Sequence, residues 1–216
     1  MSTKTCPPLR FSQFNDNWSV KKFGSLCKPR SEKYNPLLNS TNYNCIELEH
    51  LSQETGCLLG YCDSINQKSI KSIFYPGDVL YGKLRPYLRK YLLPDFKGVC
   101  STEIWVLKPK NIHSNFIFQY IKTDNFNAQT SISSGSKMPR ADWSVVSEHN
   151  LFVPSLEEQT KIATFLSAVD SKITSLERLV AHWQAYKKGI MQQIFTKQLR
   201  FKAPTAKISQ NGKYQQ

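Results

Sequence analysis

Apolar residues recur between residues 155 and 199 at alternating steps of four and three residues. Nine of the ten positions are apolar, and this spacing is the heptad period of a coiled coil. The pattern predicts one long helix of about 65 Å whose seam pairs with a second helix; the alternative is a helix folded back on its own domain. The lysine in the seam either extends its ammonium to solvent or sets register and orientation. The seam positions are Ile162, Leu166, Val169, Ile173, Leu176, Val180, Trp183, Lys187, Ile190 and Ile194.

The start of this helix is also marked in the sequence. Pro154 precedes Ser155, and Glu158 follows three residues later, which is the spacing of a capping box with reciprocal bonds between Ser155 and Glu158. Residues before this point are mixed in pattern, and those after Arg200 are polar. We therefore predict a mixed domain at 1–154, a long dimerisation and spacer helix at 155–199, and a flexible tail at 200–216.

The mixed domain is predicted to be of the α+β class. Short apolar runs bounded by Gly, Pro and Asn predict strands, and Ser114 could cap a helix that runs toward Phe126. Because strands and helices do not alternate regularly, α+β is favoured over a wound parallel sheet. The predicted strands are Cys45–Leu51, Asp78–Gly82, Ile104–Leu107 and Leu151–Val153.

Charge points to a polyanionic partner. The 216 residues contain 29 Lys and Arg against 16 Asp and Glu, a formal net charge of +13. Such an excess favours nucleic acid as the partner class. No stretch approaches the roughly 18 apolar residues of a membrane span, and the first residues lack an apolar signal core, so we expect a cytoplasmic chain with no membrane partner.

The segment YGKLRPYLRKY at residues 81–91 is the first candidate nucleic-acid surface. If it is extended, its period of two places three cations and three phenols on one face and aliphatic residues on the other. Lys suits phosphate, Arg can fork onto guanine, and Tyr can stack. The alternative is a solvated ribbon, since Pro86 argues against a central strand. The candidate DNA-binding residues are Lys83, Arg85, Tyr87 and Arg89.

A second candidate is the segment SSGSKMPR at residues 133–140. Small residues beside cations suit a loop that approaches phosphates or enters a groove, which adds Ser136, Lys137 and Arg140 to the candidate DNA-binding residues. An exposed turn is the alternative. A third cluster, Lys28, Arg30 and Lys33, is interpreted as a solvated charge run.

No catalytic or metal site is predicted. The chain lacks GxSxG, GxxxxGK[ST] and GxGxxG patterns. Two minor alternatives stay open. One is a partial zinc site at His50, Cys57 and Cys62, which lacks a fourth ligand. The other is a metal-dependent nuclease built on Asp78, Asp95 and Lys97. The pattern favours a chain that binds over one that catalyses.

Several segments together resemble the specificity subunits of type I restriction–modification systems. The helix start at 153–177 followed by 191–201 is the most specific part of the resemblance. The matching segments are LRFSQFNDNWSVKKFGSL (9–26), PGDVLYGKLRPYLRKYLL (76–93), STEIWVLKPK (101–110), SGSKMPRADW (134–143), VPSLEEQTKIATFLSAVDSKITSLE (153–177) and MQQIFTKQLRF (191–201).

The resemblance implies a target recognition domain followed by a long helix. Family members carry two such units in tandem and this sequence has one, so it is expected to be a half-subunit that pairs with an identical chain or another half-subunit. It implies a chain without catalysis or cofactor of its own, which reads half of a split double-stranded DNA target. It also implies docking of methyltransferase subunits that carry S-adenosylmethionine, and through them of restriction and translocase subunits. The alternative function is a protein adaptor that pairs with another specificity protein or sequesters methyltransferase subunits.

Overall fold

The computed structural model describes residues 7–132 and 138–201. Strands and short helices are interspersed ahead of one long helix, which confirms the α+β class. The strands are β1 (Ser19–Lys22), β2 (Cys27–Pro29), β3 (Lys33–Tyr34), β4 (Asn44–Ile46), β5 (Cys62–Asp63), β6 (Lys71–Phe74), β7 (Val79–Gly82), β8 (Tyr91–Leu92), β9 (Gly98–Ser101), β10 (Ile104–Pro109) and β11 (Asn150–Val153). The helices are α1 (Phe23–Leu26), α2 (Ser114–Ile121), α3 (Asp124–Thr130), α4 (Trp143–Glu148) and α5 (Leu156–Phe195).

The strands form three sheets. A four-stranded antiparallel sheet has the order β2-β10-β7-β8, and a five-stranded sheet has the order β3-β6-β9-β4-β5 with one parallel pair, β4 and β9. β1 and β11 form a separate antiparallel pair that joins the beginning of the domain to its last strand.

The four-stranded sheet is buried on both faces. On β10, Trp105 and Leu107 join a core with helices α2 to α4, whereas Ile104 and Val106 join a second core that includes residues of the five-stranded sheet. A strand covered on both faces has no polar face, so it appears in the sequence as a continuous apolar run. This arrangement holds the loops at the ends of β7 and β10 on a rigid base.

Two predicted elements of the mixed domain need correction. The strand predicted at Cys45–Leu51 ends at Ile46, because a 3₁₀ turn at Leu48–His50 follows, in which the N–H of Glu47 donates to Nδ1 of His50 at 3.0 Å. The helix predicted from Ser114 toward Phe126 is two helices, because the Thr123 side chain accepts from the Phe126 N–H and caps α3.

The long helix is confirmed as α5. Its start shows half of the predicted capping box: the Ser155 hydroxyl accepts from the N–H of Glu158 at 3.3 Å. The Glu158 carboxylate does not complete the box but accepts from Arg10. Gln159 adds a second anchor, since its side chain accepts from the His113 N–H and donates to the Pro154 carbonyl.

α5 ends four residues before the predicted end at 199. Lys197 adopts a left-handed backbone with φ of 62°. The N–H of Lys197 donates to the Ile194 carbonyl and that of Gln198 donates to the Gln193 carbonyl, which is the bonding of a Schellman cap. The heptad pattern does not reveal this stop because lysine occupies the position where glycine is usual.

The chain divides into two compact units, Met1–Ser167 and Ala168–Gln216. The first contains the three sheets and the first turns of α5, and the second contains the rest of α5. The predicted division at 154 and 199 stays a prediction. Within the described residues, no helix is both long enough and apolar enough to cross a membrane.

Candidate nucleic-acid interface

The two basic segments singled out in the sequence meet in the structure. Residues 83–85 run antiparallel to residues 139–141, with a bridge between Leu84 and Arg140. The N–H of Arg85 donates to the Pro139 carbonyl at 2.8 Å, and the carbonyl of residue 83 accepts from the N–H of residue 141 at 2.8 Å. Main-chain bonds therefore bring Lys83, Arg85 and Arg140 to one place at the end of β7.

Residues 81–91 are not one extended segment: residues 81–82 end β7, a turn follows, and Tyr91 begins β8, so the two-faced arrangement that required an extended segment does not form. Pro86 is buried and begins a single 3₁₀ turn, Pro86–Leu88. Arg85 and Arg89 flank it with φ of 54° and 47°, in the left-handed region. That conformation costs an ordinary residue about 1–2 kcal/mol, and it interrupts the period of two. The cations and phenols consequently do not share one face.

The three phenols of this segment have different environments. Tyr81 is buried and its hydroxyl shares a hydrogen bond of 2.9 Å with Thr130. Tyr91 is also buried and donates to the Glu54 carbonyl at 2.5 Å. Tyr87, by contrast, is 50 % exposed. Only Tyr87 among the three is therefore placed to touch a ligand.

Arg85 and Tyr87 form an exposed pair at the tip of the turn. The Arg85 Nε donates to the Tyr87 hydroxyl at 2.5 Å, and the guanidinium carbon lies 5.4 Å from the ring centroid. Within the described residues, no ion pair involves Arg85. The tyrosine thus orients the guanidinium without neutralising it, and the remaining N–H groups stay available to an acceptor.

Two other candidate arginines are already paired with carboxylates. Arg89 donates to Asp124 at 2.5 Å, and this hydrogen bond raises the pKa of the guanidinium. Arg140 makes a forked pair with Glu103, with distances of 3.0 and 3.1 Å. A forked pair occupies two donors, so Arg140 must exchange this partner before it can fork onto a base edge.

Lys83 belongs to the same strand pairing as Arg85 and Arg140. It is half-buried, and its backbone N–H donates to the Glu103 carbonyl at 2.9 Å. Among residues 7–132 and 138–201, no ion pair involves its side chain. The other two candidates, Ser136 and Lys137, lie outside the described residues.

The third basic cluster is partly structural. The Arg30 Nε donates to Asp78 at 2.6 Å, and Asp78, which is 2 % exposed, also accepts from the Tyr75 N–H. Lys33 donates to the Ser72 hydroxyl at 2.9 Å. The buried Asp78 carboxylate is therefore the counter-ion of Arg30, which removes it from the nuclease alternative.

The metal alternatives gain no support from the geometry. In the part of the chain that is described, no group of three or more His, Cys, Asp or Glu side chains is placed to share a metal ion. His50 instead accepts from the Glu47 N–H, and Cys57 is an exposed free thiol.

The predicted seam of α5 is largely exposed within this chain. Leu166 is 36 % exposed, and exposure rises through Ile173 to Val180 and Trp183, at 55 % and 58 %. Exposed apolar side chains at heptad spacing favour burial against a further helix.

Sequence reasoning missed the counter-ions of the interface. Glu103 and Asp124 come from other elements than the arginines they pair with, so no local spacing links them. It also missed the pairing of Arg10 with Glu158, for which the capping spacing indicated a different partner.

Comparisons with known proteins identify the family and the fold of the chain. A family model described as "Type I restriction modification DNA specificity domain" matches residues 15–181. The EcoDI specificity subunit of Escherichia coli is 28 % identical over 188 residues, which are 86 % of this chain and 42 % of that protein.

Solved structures show the same fold. A chain of a type I R-M system superposes with a TM-score of 0.66 at 24 % identity, covering 89 % of this chain and 52 % of its own length. The HsdS subunit of Thermoanaerobacter tengcongensis superposes with a TM-score of 0.64 at 23 % identity. The match covers 88 % of this chain and 51 % of that subunit. The chain thus spans about half the length of these relatives.

Proposed function

Since the chain belongs to the family of type I restriction–modification DNA specificity domains, we propose that it reads one half of a bipartite double-stranded DNA target. The observation that carries this proposal is the exposed Arg85–Tyr87 pair, held on a rigid base beside Arg140. An oriented guanidinium without a counter-ion suits direct reading of guanine, whose O6 and N7 accept both N–H groups of the fork.

The proposed roles of the cations follow from their surroundings. Arg85 reads a base edge, and Lys83 contacts a phosphate, because its ammonium is a point charge with no planar fork. Arg140 exchanges Glu103 for the DNA, so Glu103 is its counter-ion only until DNA binds. Arg89 stays with Asp124 and supports the turn.

Substitutions in the turn test this proposal. We expect Arg85→Ala to lose about 1–3 kcal/mol of discrimination at one base pair, whereas Lys83→Ala weakens binding to all sequences and reduces the salt slope by about 1. Binding is measured against a set of duplexes with single base-pair changes. Unchanged binding by both variants would contradict the proposed reading surface.

We further propose that the chain itself performs no catalysis. It docks methyltransferase subunits, which bind S-adenosylmethionine and modify the target, and restriction and translocase subunits join through them. We propose that it acts in the cytoplasm, where its DNA target is. A methylation assay with each subunit alone and combined tests the assignment; methylation by this chain alone contradicts it.

Two copies, or this chain and another half-subunit, are proposed to pair through the exposed seam of α5. Because a two-fold homodimer presents the same reading surface twice, its target must be an inverted repeat with a gap. Sequencing of methylated sites in cells with and without this gene should reveal such a repeat. An asymmetric target would contradict the homodimer.

The exposed seam also favours a second candidate, an adaptor that pairs with other specificity proteins without reading DNA. Footprinting in the presence of the methyltransferase separates the two functions. Protection that depends on Arg85 supports reading, whereas protection indifferent to the turn supports the adaptor.

A further inference from the structure

Three exposed lysines meet at the edge of the four-stranded sheet without a counter-ion. Lys28 on the edge strand β2 lies directly opposite Lys108 on β10. Lys110 follows two residues after Lys108, and its N–H donates to the Leu26 carbonyl at 2.7 Å. Within residues 7–132 and 138–201, none of the three lysines takes part in an ion pair.

The positive charge of this lysine triad (Lys28, Lys108 and Lys110) is not balanced by its surroundings. Like charges directly opposite each other destabilise an antiparallel pair. The nearby carboxylates are engaged elsewhere: Glu148 pairs with Lys22 at 2.5 Å, and Glu32 with Arg30 at 3.3 Å. The fold therefore keeps three uncompensated cations together, which is typical of a surface that meets an anion.

The shape of the surface suits an extended partner. The triad and residues 29–32 line an open groove of about 480 Å³. Lys28 and Lys110 also border a second groove of about 830 Å³ on their other side. The first groove has no aromatic or large aliphatic side chain in its wall, whereas the cores of protein–protein interfaces are rich in them.

We propose that the lysine triad binds the phosphate backbone of duplex DNA beside the stretch of bases that the Arg85–Tyr87 pair reads. The inference rests on the proposed function. β10 links the two surfaces, since it begins opposite Gly82, next to Lys83, and ends beside the triad. Its five steps cover about 17 Å, more than the roughly 12 Å width of the major groove. A phosphate strand that flanks the read groove therefore lies within reach of the triad.

The test removes the three charges together in the full chain. The variant Lys28→Gln/Lys108→Gln/Lys110→Gln is titrated onto a 30-base-pair duplex of mixed sequence, with fluorescence anisotropy at salt from about 50 to 200 mM. Three lost phosphate contacts should reduce the slope of log K against log salt by about 2.7. The ratio of the affinity of the unsubstituted chain to that of the variant should therefore fall by about 40-fold as the salt rises from about 50 to 200 mM.

A matched control removes the same charge from other exposed lysines: Lys68→Gln/Lys172→Gln/Lys188→Gln. An equal change of slope in this control overturns the inference, because general charge would then explain the effect. If the triad variant keeps the slope of the unsubstituted chain, and the unsubstituted chain binds in a salt-dependent way, the inference is wrong. The proposed function is not affected by that result. If the unsubstituted chain binds no duplex with or without the methyltransferase, the proposed function fails, and the inference with it.

Discussion

Arg10 and Glu158 show how single residues anchor the helix to the mixed domain. Two arginine nitrogens donate to the two carboxylate oxygens at 2.6 Å each, with the side chains 14 % and 1 % exposed. Phe11 follows Arg10 and meets Phe165 edge-on at 6.0 Å. The segment before β1 is thereby attached to the first turns of α5.

Glu158→Gln should lower the free energy of unfolding by about 3 kcal/mol, because it leaves a buried guanidinium without its carboxylate. The control is Glu148→Gln, whose pair with Lys22 is exposed at 64 % and 60 % and should cost about 0–1 kcal/mol. Urea denaturation of the two variants measures both values. Similar losses in both would show that the burial of the Glu158 pair carries no extra stability.

A second residue-scale prediction concerns pH. The Tyr120 hydroxyl lies 2.5 Å from Nε2 of His149, and burial lowers the pKa of His149. Burial also raises the pKa of Tyr120 to about 12, so the phenol stays protonated and donates to the neutral ring. Because the folded pKa of His149 lies below its unfolded value near 6.5, the stabilisation is present above pH 6.5. It is lost as the pH falls through the folded pKa.

We therefore expect the melting temperature to fall more steeply between about pH 6.5 and 5 in the unsubstituted chain than in His149→Gln, which has no group to protonate. Thermal unfolding followed by circular dichroism across this range measures the difference. Parallel profiles of the two proteins would contradict the assignment to His149.

At the scale of elements, the register of α5 separates the seam from other exposed apolar residues. Leu176 and Leu179 are almost equally exposed, at 48 % and 49 %, but only Leu176 is at a seam position. Burial of one leucine side chain contributes about 1.5–3 kcal/mol. A partner helix should therefore contact Leu176 in the seam and not Leu179.

Because both chains of a pair carry the substitution, Leu176→Lys should weaken self-association by about a hundredfold or more, whereas Leu179→Lys should leave it nearly unchanged. Sedimentation of each variant over a range of concentrations gives the dissociation constants. Equal weakening by both substitutions would show that association follows general apolarity and not the heptad register.

For the molecule as a whole, the sequence predicts those helices and strands whose apolar residues recur with a regular local period. The apolar runs of β7 and β10 match their burial, and the heptad steps of α5 form a helix whose seam is largely exposed in the single chain. Pro86 argues against a central strand, but the alternating cations and phenols imitate one, and the burial of Tyr81 and Tyr91 shows that tertiary packing decides their position. The lysine triad could not be found from spacing, since Lys28 and Lys108 become neighbours only through strand pairing.

The pairing of residues 83–85 with residues 139–141 depends on main-chain groups, which every amino acid except proline can supply in full. Side chains at the tip can accordingly be exchanged while the backbone that displays them persists. Positive φ at positions 85 and 89 narrows the choice, because β-branched side chains fit the left-handed region poorly while Asn, Asp and Gly fit it well. Under the proposed function, new target sequences can arise from few substitutions at the tip, and position 87 accepts the widest choice of residues.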